Sequence, residues 1–280
     1  MNQIDVNNLI IVSDIHAGCK LGLCPPGPVP LDEGASYNPS EFQLIIWKYW
    51  DEFWNVWVPD VTRGEPYAVC LNGDALDGRH HGATSQISQN LADQSSIAGS
   101  ILVPVIDRCK GRYYHIRGTE AHVGPSGEDE ERLAKYLGAI PNEVGQYARN
   151  EAWFRIGGNY LVHVAHHIGT TSATAYESSA LMRELSEAYV ESAKWNEQPP
   201  SVVVRSHRHR FVEVRIQTAR GFATVCTTPG WQGKTPFVYK IPSGRVATPQ
   251  FGGILVRAGD EDIYTRSFVK SIKRSTEVVL

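Results

Sequence analysis

The chain has 280 residues, of which 42% are hydrophobic and 20% charged, a composition typical of a folded protein. The formal net charge of -3 argues against a globally basic nucleic-acid-binding surface, although it leaves room for a local basic groove. The polar segment 1–8 lacks the layout of a signal peptide, and no apolar run is long enough to span a membrane. Five scattered cysteines without CxxC spacing indicate reduced thiols and predict a cytoplasmic protein.

Apolar periodicity and turn residues place the predicted elements along the chain. The first half alternates strands with helices, and the second half consists mostly of short strands. The helix that begins at Ser40 carries four tryptophans on one face, which predicts core packing or a subunit contact. In chain order the predicted elements are a strand at 9–12, a helix from 40, a strand at 67–71, a helix at about 85–108, a strand at 113–116, a helix at 128–137, strands at 153–156 and 160–165, a helix at 172–194, and strands at 202–204, 211–216 and 222–227.

This order of elements predicts the α/β class. The expected architecture is a four-layer αββα sandwich, in which two mixed β-sheets lie face to face and helices flank them. A single domain over residues 1–280 is expected, with residues from about 229 to 280 forming accessory hairpins and loops.

Histidines and carboxylates follow several predicted strands at the point where each strand ends. Asp14 and His16 come after the first strand, Asp74 after the second and Glu120 after the third. In open α/β sheets functional groups collect just past the carboxyl ends of strands, so we expect these side chains to converge on one edge. Carboxylates combined with neutral imidazoles suit Mn, Fe or Zn better than Mg or Ca. The pattern therefore predicts a divalent-metal site.

Five short motifs occur in a fixed order. They are DIH at 14–16, GDALD at 73–77, GTEAH at 118–122, a strand-end histidine at 166, and SHRH at 206–209. In kind and order they resemble the motifs of the calcineurin-like metallophosphoesterases, over nearly the whole chain. The resemblance implies two divalent metal ions at the edge of a β-sandwich, with Mn expected and Fe, Zn or Ni as alternatives. The segment 229–236 is similar to segments of phage-encoded relatives, which points to a phage or prophage source.

The resemblance implies a role for each matching residue. Asp14, His16 and His209 are implied ligands of the first metal. Asp74 is the implied bridge between both metals, and His207 is an implied ligand of the second. Because His207 and His209 project to the same side of an extended strand end, both can reach metals a few ångströms apart.

Three histidines are candidates for the strand-end ligand. His166 lies where the strand should end and is the expected ligand. His163 lies inside the strand and could equally be satisfied by a neighbouring backbone group, whereas His167 is expected to be exposed or to lie behind the ligands. His115, inside another predicted strand, is expected to be structural.

The third motif departs from the Gly-Asn-His pattern of the family. Glu120 is expected to replace the Asn as a ligand of the second metal, and His122 to be the displaced catalytic histidine. Alternatively, Glu120 and His122 form a pair behind the ligands. Asp77 is expected to orient His122 as a proton donor, or alternatively to cap the turn before Gly78.

Basic side chains near the motifs are the candidate substrate contacts. Arg79, His80 and His81 follow the second motif at the expected rim of the pocket, and Arg117 precedes the third motif. The histidine pair could instead be solvated polar surface. These four residues are the expected contacts to phosphate or to the body of the substrate.

Together these features predict a metal-dependent phosphoesterase. In the expected mechanism a hydroxide that bridges two metals attacks phosphorus in line with the leaving oxygen. A phosphodiester of a nucleotide or nucleic acid is favoured over a phosphomonoester, because a protonating histidine matters most when the leaving alkoxide is poor. The alternatives are a phosphomonoesterase and a non-catalytic metal-binding scaffold. No membrane partner is expected, and a homo-oligomer is compatible with the sequence.

Overall fold

A computed structural model describes residues 6–80, 82–169, 174–272 and 278. Within these residues the strands pair into a six-stranded sheet, a five-stranded sheet and a short two-stranded sheet. Val, Ile and Leu fill the central strands of the two large sheets, as expected for strands buried on both faces. The strands are β1 (Asn8–Val12), β2 (Val29–Pro30), β3 (Ser36–Tyr37), β4 (Tyr67–Asn72), β5 (Tyr113–Ile116), β6 (Ala148–Arg149), β7 (Glu151–Ile156), β8 (Tyr160–Ala165), β9 (Val202–Arg205), β10 (Val212–Thr218), β11 (Gly221–Thr227), β12 (Gln250–Ala258) and β13 (Ile263–Ser271).

The first helix begins at a residue with good capping chemistry. Ser40 accepts a hydrogen bond from the backbone N–H of Gln43, whose side chain accepts one from the N–H of Ser40, so the pair forms a capping box. The helices are α1 (Glu41–Glu52), α2 (Val58–Thr62), α3 (Leu91–Arg108), α4 (Glu120–Val123), α5 (Glu128–Tyr136), α6 (Glu177–Trp195) and α7 (Pro242–Arg245), and a π-helical turn at Phe53–Trp57 joins α1 to α2. Among the described residues, no helix is both long and apolar enough to cross a membrane.

The strand order brings several strand ends to common edges. In the six-stranded sheet, ordered β13-β12-β1-β4-β5-β6, the strands β1, β4 and β5 run parallel, whereas β12 is antiparallel to β1. In the five-stranded sheet, ordered β10-β11-β9-β8-β7, β8 and β9 run parallel, whereas β7 is antiparallel to β8. Both sheets are therefore mixed, as predicted. The carboxyl ends of parallel neighbours lie together in each sheet.

Apolar side chains on both faces of the central strands create three layers of core. Leu9 and Ile11 of β1 pack against β8 and β9 in the space between the sheets. Ile10 and Val12, which alternate with them, pack against α1 and α3 on the outer face. Val203 of β9 packs against α6 on the opposite outer face. Helices therefore cover both outer faces, and the predicted four-layer αββα sandwich is confirmed.

The tryptophan face of α1 and its π-helical extension lies in the core. Trp50 and Trp54 are 4% and 2% exposed, and Trp50 packs edge-on against Trp231 from a distant loop. Trp47 and Trp57 are partly buried against the same core. Of the two alternatives that the sequence left open for this face, core packing is the one observed.

Two features differ from the sequence expectation. Helix α3 begins at Leu91 rather than near residue 85, because the preceding segment forms an irregular loop. The hairpin of β12 and β13, expected as an accessory within residues 229–280, is part of the six-stranded sheet because β12 pairs with β1. Gly252 and Gly253 interrupt the apolar pattern of β12 and weaken the strand signal in the sequence.

Candidate metal centre

Residues that follow β1, β4 and β5 converge at one edge of the six-stranded sheet. Asp14 and His16 follow β1, Asp74 follows β4, and Thr119 follows β5. The backbone continues the strand pairing past the strand ends, since the N–H of Asp14 donates to the carbonyl of Gly73 at 2.9 Å and that of His16 donates to the carbonyl of Asp74 at 3.1 Å. The parallel strand ends therefore bring both carboxylates together, as predicted from the sequence.

Two of these residues and one from the second sheet form what we call the first cluster, which consists of Asp14, His16 and His209. Oδ1 of Asp14 lies 3.1 Å from Nε2 of His209 and 4.0 Å from Nε2 of His16. The two Nε2 atoms are 3.3 Å apart. Asp14 is fully buried, and its Oδ1 has no hydrogen-bond partner among the described residues. A buried carboxylate oxygen that faces two imidazole nitrogens fits a cation site.

The second cluster consists of Asp74, His166 and His207, whose donor atoms lie within 4.8 Å of one another. Oδ2 of Asp74 is 3.2 Å from Nε2 of His166. The backbone carbonyl of Asn72 accepts a hydrogen bond from Nδ1 of His166 at 2.7 Å, which leaves Nε2 directed at the cluster. His166 and His207 follow β8 and β9, so the second sheet supplies both imidazoles.

The two clusters adjoin each other. Oδ1 of Asp14 in the first cluster lies 4.0 Å from Nε2 of His166 in the second. Asp74 also forms a donor group with His16 and His122, again within 4.8 Å. Asp74 thus lies between the clusters, where the sequence interpretation places a bridging carboxylate.

Imidazoles balance the carboxylate charge in this centre. Burial alone would raise the pKa of Asp74, but the charge and hydrogen bond of His166 hold it well below its usual range. Burial lowers the pKa of His166, and the charges of Asp74 and Asp14 more than reverse this, raising it to about 10. Burial and the nearby charge of His166 lower the pKa of His207 to about 4. The centre therefore presents ionised carboxylates, as a divalent cation requires.

Asp77 is placed differently from the expectation. Its carboxylate lies 3.4 Å from Nδ1 of His16 and 3.5 Å from Nε2 of His80. The backbone carbonyl of Asp77, not its carboxylate, accepts a hydrogen bond from Nδ1 of His122 at 2.6 Å. Asp77 therefore orients His122 through the main chain, and its side chain faces a residue of the first cluster.

Glu120 does not join either cluster. It is exposed at the first position of α4, and it belongs to none of the groups of close donor atoms among the described residues. The neighbouring Thr119 is in contact with the second cluster instead, because its N–H donates to Oδ1 of Asp74 at 2.6 Å. Thr119 directly follows Gly118, at the position of Asn in the Gly-Asn-His pattern. This position is the sequence signal that could have identified Thr119.

The expected substrate contacts lie in three different settings. Arg79 is exposed and lines a cleft of about 500 Å³ together with Arg132 and residues of α3. His80 is half-buried between Asp77 and the ring of His122, whereas His81 lies outside the described residues. Arg117 donates to the carbonyl of Ala148 and pairs with Glu131 at 3.4 Å, so its guanidinium is engaged within the fold.

The remaining histidines have local partners or are exposed. His163 lies inside β8, and its Nε2 is 2.7 Å from the carboxylate of Glu151. This histidine therefore has a hydrogen-bond partner within the fold. His167 is exposed. His115 is fully buried, and Tyr113 contacts its Nδ1 at 2.8 Å.

Two supporting residues were not predicted from the sequence. Glu130 of α5 is buried, and its carboxylate accepts hydrogen bonds from the backbone N–H groups of Ala75 and Gly118, each at 2.7 Å. It thereby joins the loops after β4 and β5. Gln232 donates to Oδ1 of Asp77 at 3.1 Å. Glu130 lies in a charged amphipathic helix and Gln232 in a loop rich in Pro and Gly, and neither sequence pattern indicates these contacts.

No protein-family model and no curated protein sequence matches the chain. Among solved structures, Vacuolar Protein Sorting 29 from Cryptosporidium parvum is 10% identical with a TM-score of 0.34, over 96% of this chain and 100% of that one. A metallophosphoesterase from Sphaerobacter thermophilus is 9% identical with a TM-score of 0.37, over 96% and 89%. The sulfate thiohydrolase SoxB of Thermus thermophilus is 12% identical with a TM-score of 0.37, over 97% of this chain and 57% of that one. With every TM-score below 0.5, the assignment of function depends on the site itself.

Proposed function

We propose that the chain is a metal-dependent phosphoesterase of the calcineurin-like kind. The observation that carries the proposal is the pair of adjoining clusters, each with one buried carboxylate and two imidazoles, where the two sheets meet. The first cluster would hold one divalent ion and the second cluster another, Mn being the proposed metal. When bound, such ions polarise phosphoryl oxygens and make water a stronger acid.

The proposed proton donor to the leaving oxygen is His122. A carbonyl can only accept, so the contact with Asp77 requires a proton on Nδ1 of His122 and leaves Nε2 as the nitrogen that exchanges a proton. Asp77 positions this imidazole through its carbonyl and positions His16 through its carboxylate. One residue thus supports both the proposed proton donor and a proposed metal ligand.

A phosphodiester is the proposed substrate class, in preference to a phosphomonoester. A positioned imidazole accelerates the departure of poor leaving groups such as alkoxides, which are typical of diesters in nucleotides and nucleic acids. Arg79 and His80, which follow Asp77, are the proposed contacts to the body of the substrate. Arg117 is not proposed for this role because its guanidinium pairs with the carboxylate of Glu131. Arg79, whose Nε donates to the carbonyl of Gln89, has by contrast no carboxylate partner among the described residues.

Hydrolysis of bis(4-nitrophenyl) phosphate and of 4-nitrophenyl phosphate by the full-length, Mn²⁺-loaded protein tests the proposal. We expect faster turnover of the diester, and a loss of about 100-fold in Asp14→Asn and His209→Gln, which remove ligands of the first cluster. Gln217→Leu, at a polar residue of β10 remote from the clusters, is the matched control. Faster turnover of the monoester would overturn the diester preference. Protein that binds two Mn²⁺ and hydrolyses neither ester would instead be a metal-binding scaffold.

A further inference from the structure

The hydroxyl of Thr119 lies among the donor atoms of the second cluster. Its Oγ1 is 3.0 Å from Nδ1 of His207, 3.2 Å from Oδ2 of Asp74 and 3.3 Å from Nε2 of His166. Ligand atoms that surround a divalent metal at about 2.1 Å are about 3.0–3.4 Å from one another in octahedral or tetrahedral sites. The three distances therefore fit neighbouring ligands around one ion.

The donor atoms around this hydroxyl suit a cation. The hydroxyl has a single hydrogen to donate, whereas both Oδ2 of Asp74 and Nδ1 of His207 lie within hydrogen-bond distance of it. A metal ion at the cluster would replace the proton on Nε2 of His166, because Nδ1 of that ring already donates to the carbonyl of Asn72. The cation could then receive a lone pair from Asp74, from His166 and from the hydroxyl oxygen.

The backbone holds Thr119 in place independently of its side chain. Its N–H donates to Oδ1 of Asp74, and its carbonyl accepts from the N–H groups of His122 and Val123 at the start of α4. A Cβ at Gly118 would lie 2.0 Å from Oδ1 of Asp74, so only glycine there allows this approach. The hydroxyl of Thr119 makes no capping hydrogen bond to α4. Removal of the hydroxyl therefore removes a contact to the cluster without removing a helix cap.

We propose that Oγ1 of Thr119 is a ligand of the metal ion at the second cluster, in the place that the sequence interpretation assigned to Glu120. With a neutral hydroxyl there, Asp14 and Asp74 are the two carboxylates that face two divalent ions. The loaded centre then carries one more positive charge than it would with Glu120 as a ligand. That charge attracts an anionic phosphate ester, and the neutral ligand binds its metal less tightly than a carboxylate would.

This inference rests on the two-metal centre of the proposed function, but metal content tests it separately from turnover. The full-length protein is loaded with Mn²⁺, dialysed and analysed for metal per chain, and the two Mn²⁺ affinities are measured by calorimetric titration. Thr119→Val keeps the shape and removes the hydroxyl, whereas Thr119→Ser keeps the hydroxyl. Glu120→Gln is the matched control at the neighbouring residue.

We expect wild type, Thr119→Ser and Glu120→Gln to bind two Mn²⁺, and Thr119→Val to lose about tenfold in affinity for one of them. The unchanged affinity of Thr119→Val for the other Mn²⁺ would show that this variant is folded. Wild-type affinities at both positions in Thr119→Val, or loss of one metal in Glu120→Gln, would overturn the inference. If this pattern of metal binding is found and no ester is hydrolysed, the ligand assignment stands and the proposed function fails.

Discussion

At the scale of single residues, five of the six residues in the two clusters share an unusual backbone conformation. Asp14, His16, Asp74, His207 and His209 all have positive φ, between 43° and 70°. For residues other than glycine this left-handed region costs about 1 kcal/mol or more, and it persists where neighbouring contacts enforce it. The strain is concentrated where the side chains of the two clusters must point at one another. Their positions are therefore set by the main chain and not by flexible loops.

His163 shows how the fold treats a histidine outside the clusters. Burial lowers its pKa from 6.5, the charge of Arg205 lowers it further, and the mostly exposed Glu151 offsets this only in part. Because the folded pKa lies below the unfolded value, the resulting stability is fully present above about pH 6.5 and is lost as the pH falls. We expect wild type to lose more stability than His163→Gln between pH 7.5 and 5.5. Urea unfolding at both pH values measures this, and an equal loss in both proteins would contradict it.

At the scale of elements, three consecutive loop residues support the first cluster. Gly230 lies against His209, where a Cβ on the glycine would be 2.9 Å from the imidazole. The backbone N–H of Trp231 donates to the carbonyl of Asp14 at 2.9 Å. Gln232 donates to the carboxylate of Asp77, which in turn faces His16. Residues of this loop therefore contact His209 and Asp14 directly, and they contact His16 through Asp77.

Gln232 is the member of this loop whose contribution can be isolated. Gln232→Leu removes the hydrogen bond to Asp77, and Gln232→Glu places a carboxylate beside a carboxylate. We expect about tenfold weaker Mn²⁺ binding at the first cluster in Gln232→Leu, a larger loss in Gln232→Glu, and no change at the second cluster. Calorimetric titration resolves the two affinities, with Gln217→Leu as the control. Equal losses at both positions would mean that the residue supports only the fold.

The contrast between these residues shows what the sequence could reveal. A histidine or aspartate directly after an apolar β-branched run indicates both the strand and the edge where the side chain lies, so His166 and Asp74 were identifiable. Thr119 and Gln232 carry no such chemical signature. Their contacts arise because β5 ends beside Asp74 and because the chain returns from β11 to the same edge, and both depend on tertiary structure. For the same reason Glu130 looked like part of a solvated helix face.

At the scale of the whole molecule, the candidate metal centre connects the two sheets. Asp14 and Asp74 follow strands of the six-stranded sheet, whereas His166 and His209 follow strands of the five-stranded sheet. The side chains of both sheets meet at this edge with a buried carboxylate oxygen that has no hydrogen-bond partner among the described residues. A cation with ligands from both sheets would cross-link the sheets. It could do so only in the folded state, where these ligands lie close together. Metal binding is therefore expected to be linked to global stability.

Removal of metal should accordingly lower the melting temperature. A ligand that binds only the folded chain stabilises it by about 2.7 kcal/mol when its free concentration is 100 times its Kd. We expect Mn²⁺ to raise the melting temperature of the chelator-treated wild type, and His209→Gln, which lacks one donor from the five-stranded sheet, to show a smaller rise. Calorimetry of both proteins with and without Mn²⁺ measures this, with Mg²⁺ as a comparison for metal selectivity. The same Mn²⁺-dependent rise in both proteins would show that the ion does not bind at the first cluster, and no rise in wild type would argue against a cation shared by the two sheets.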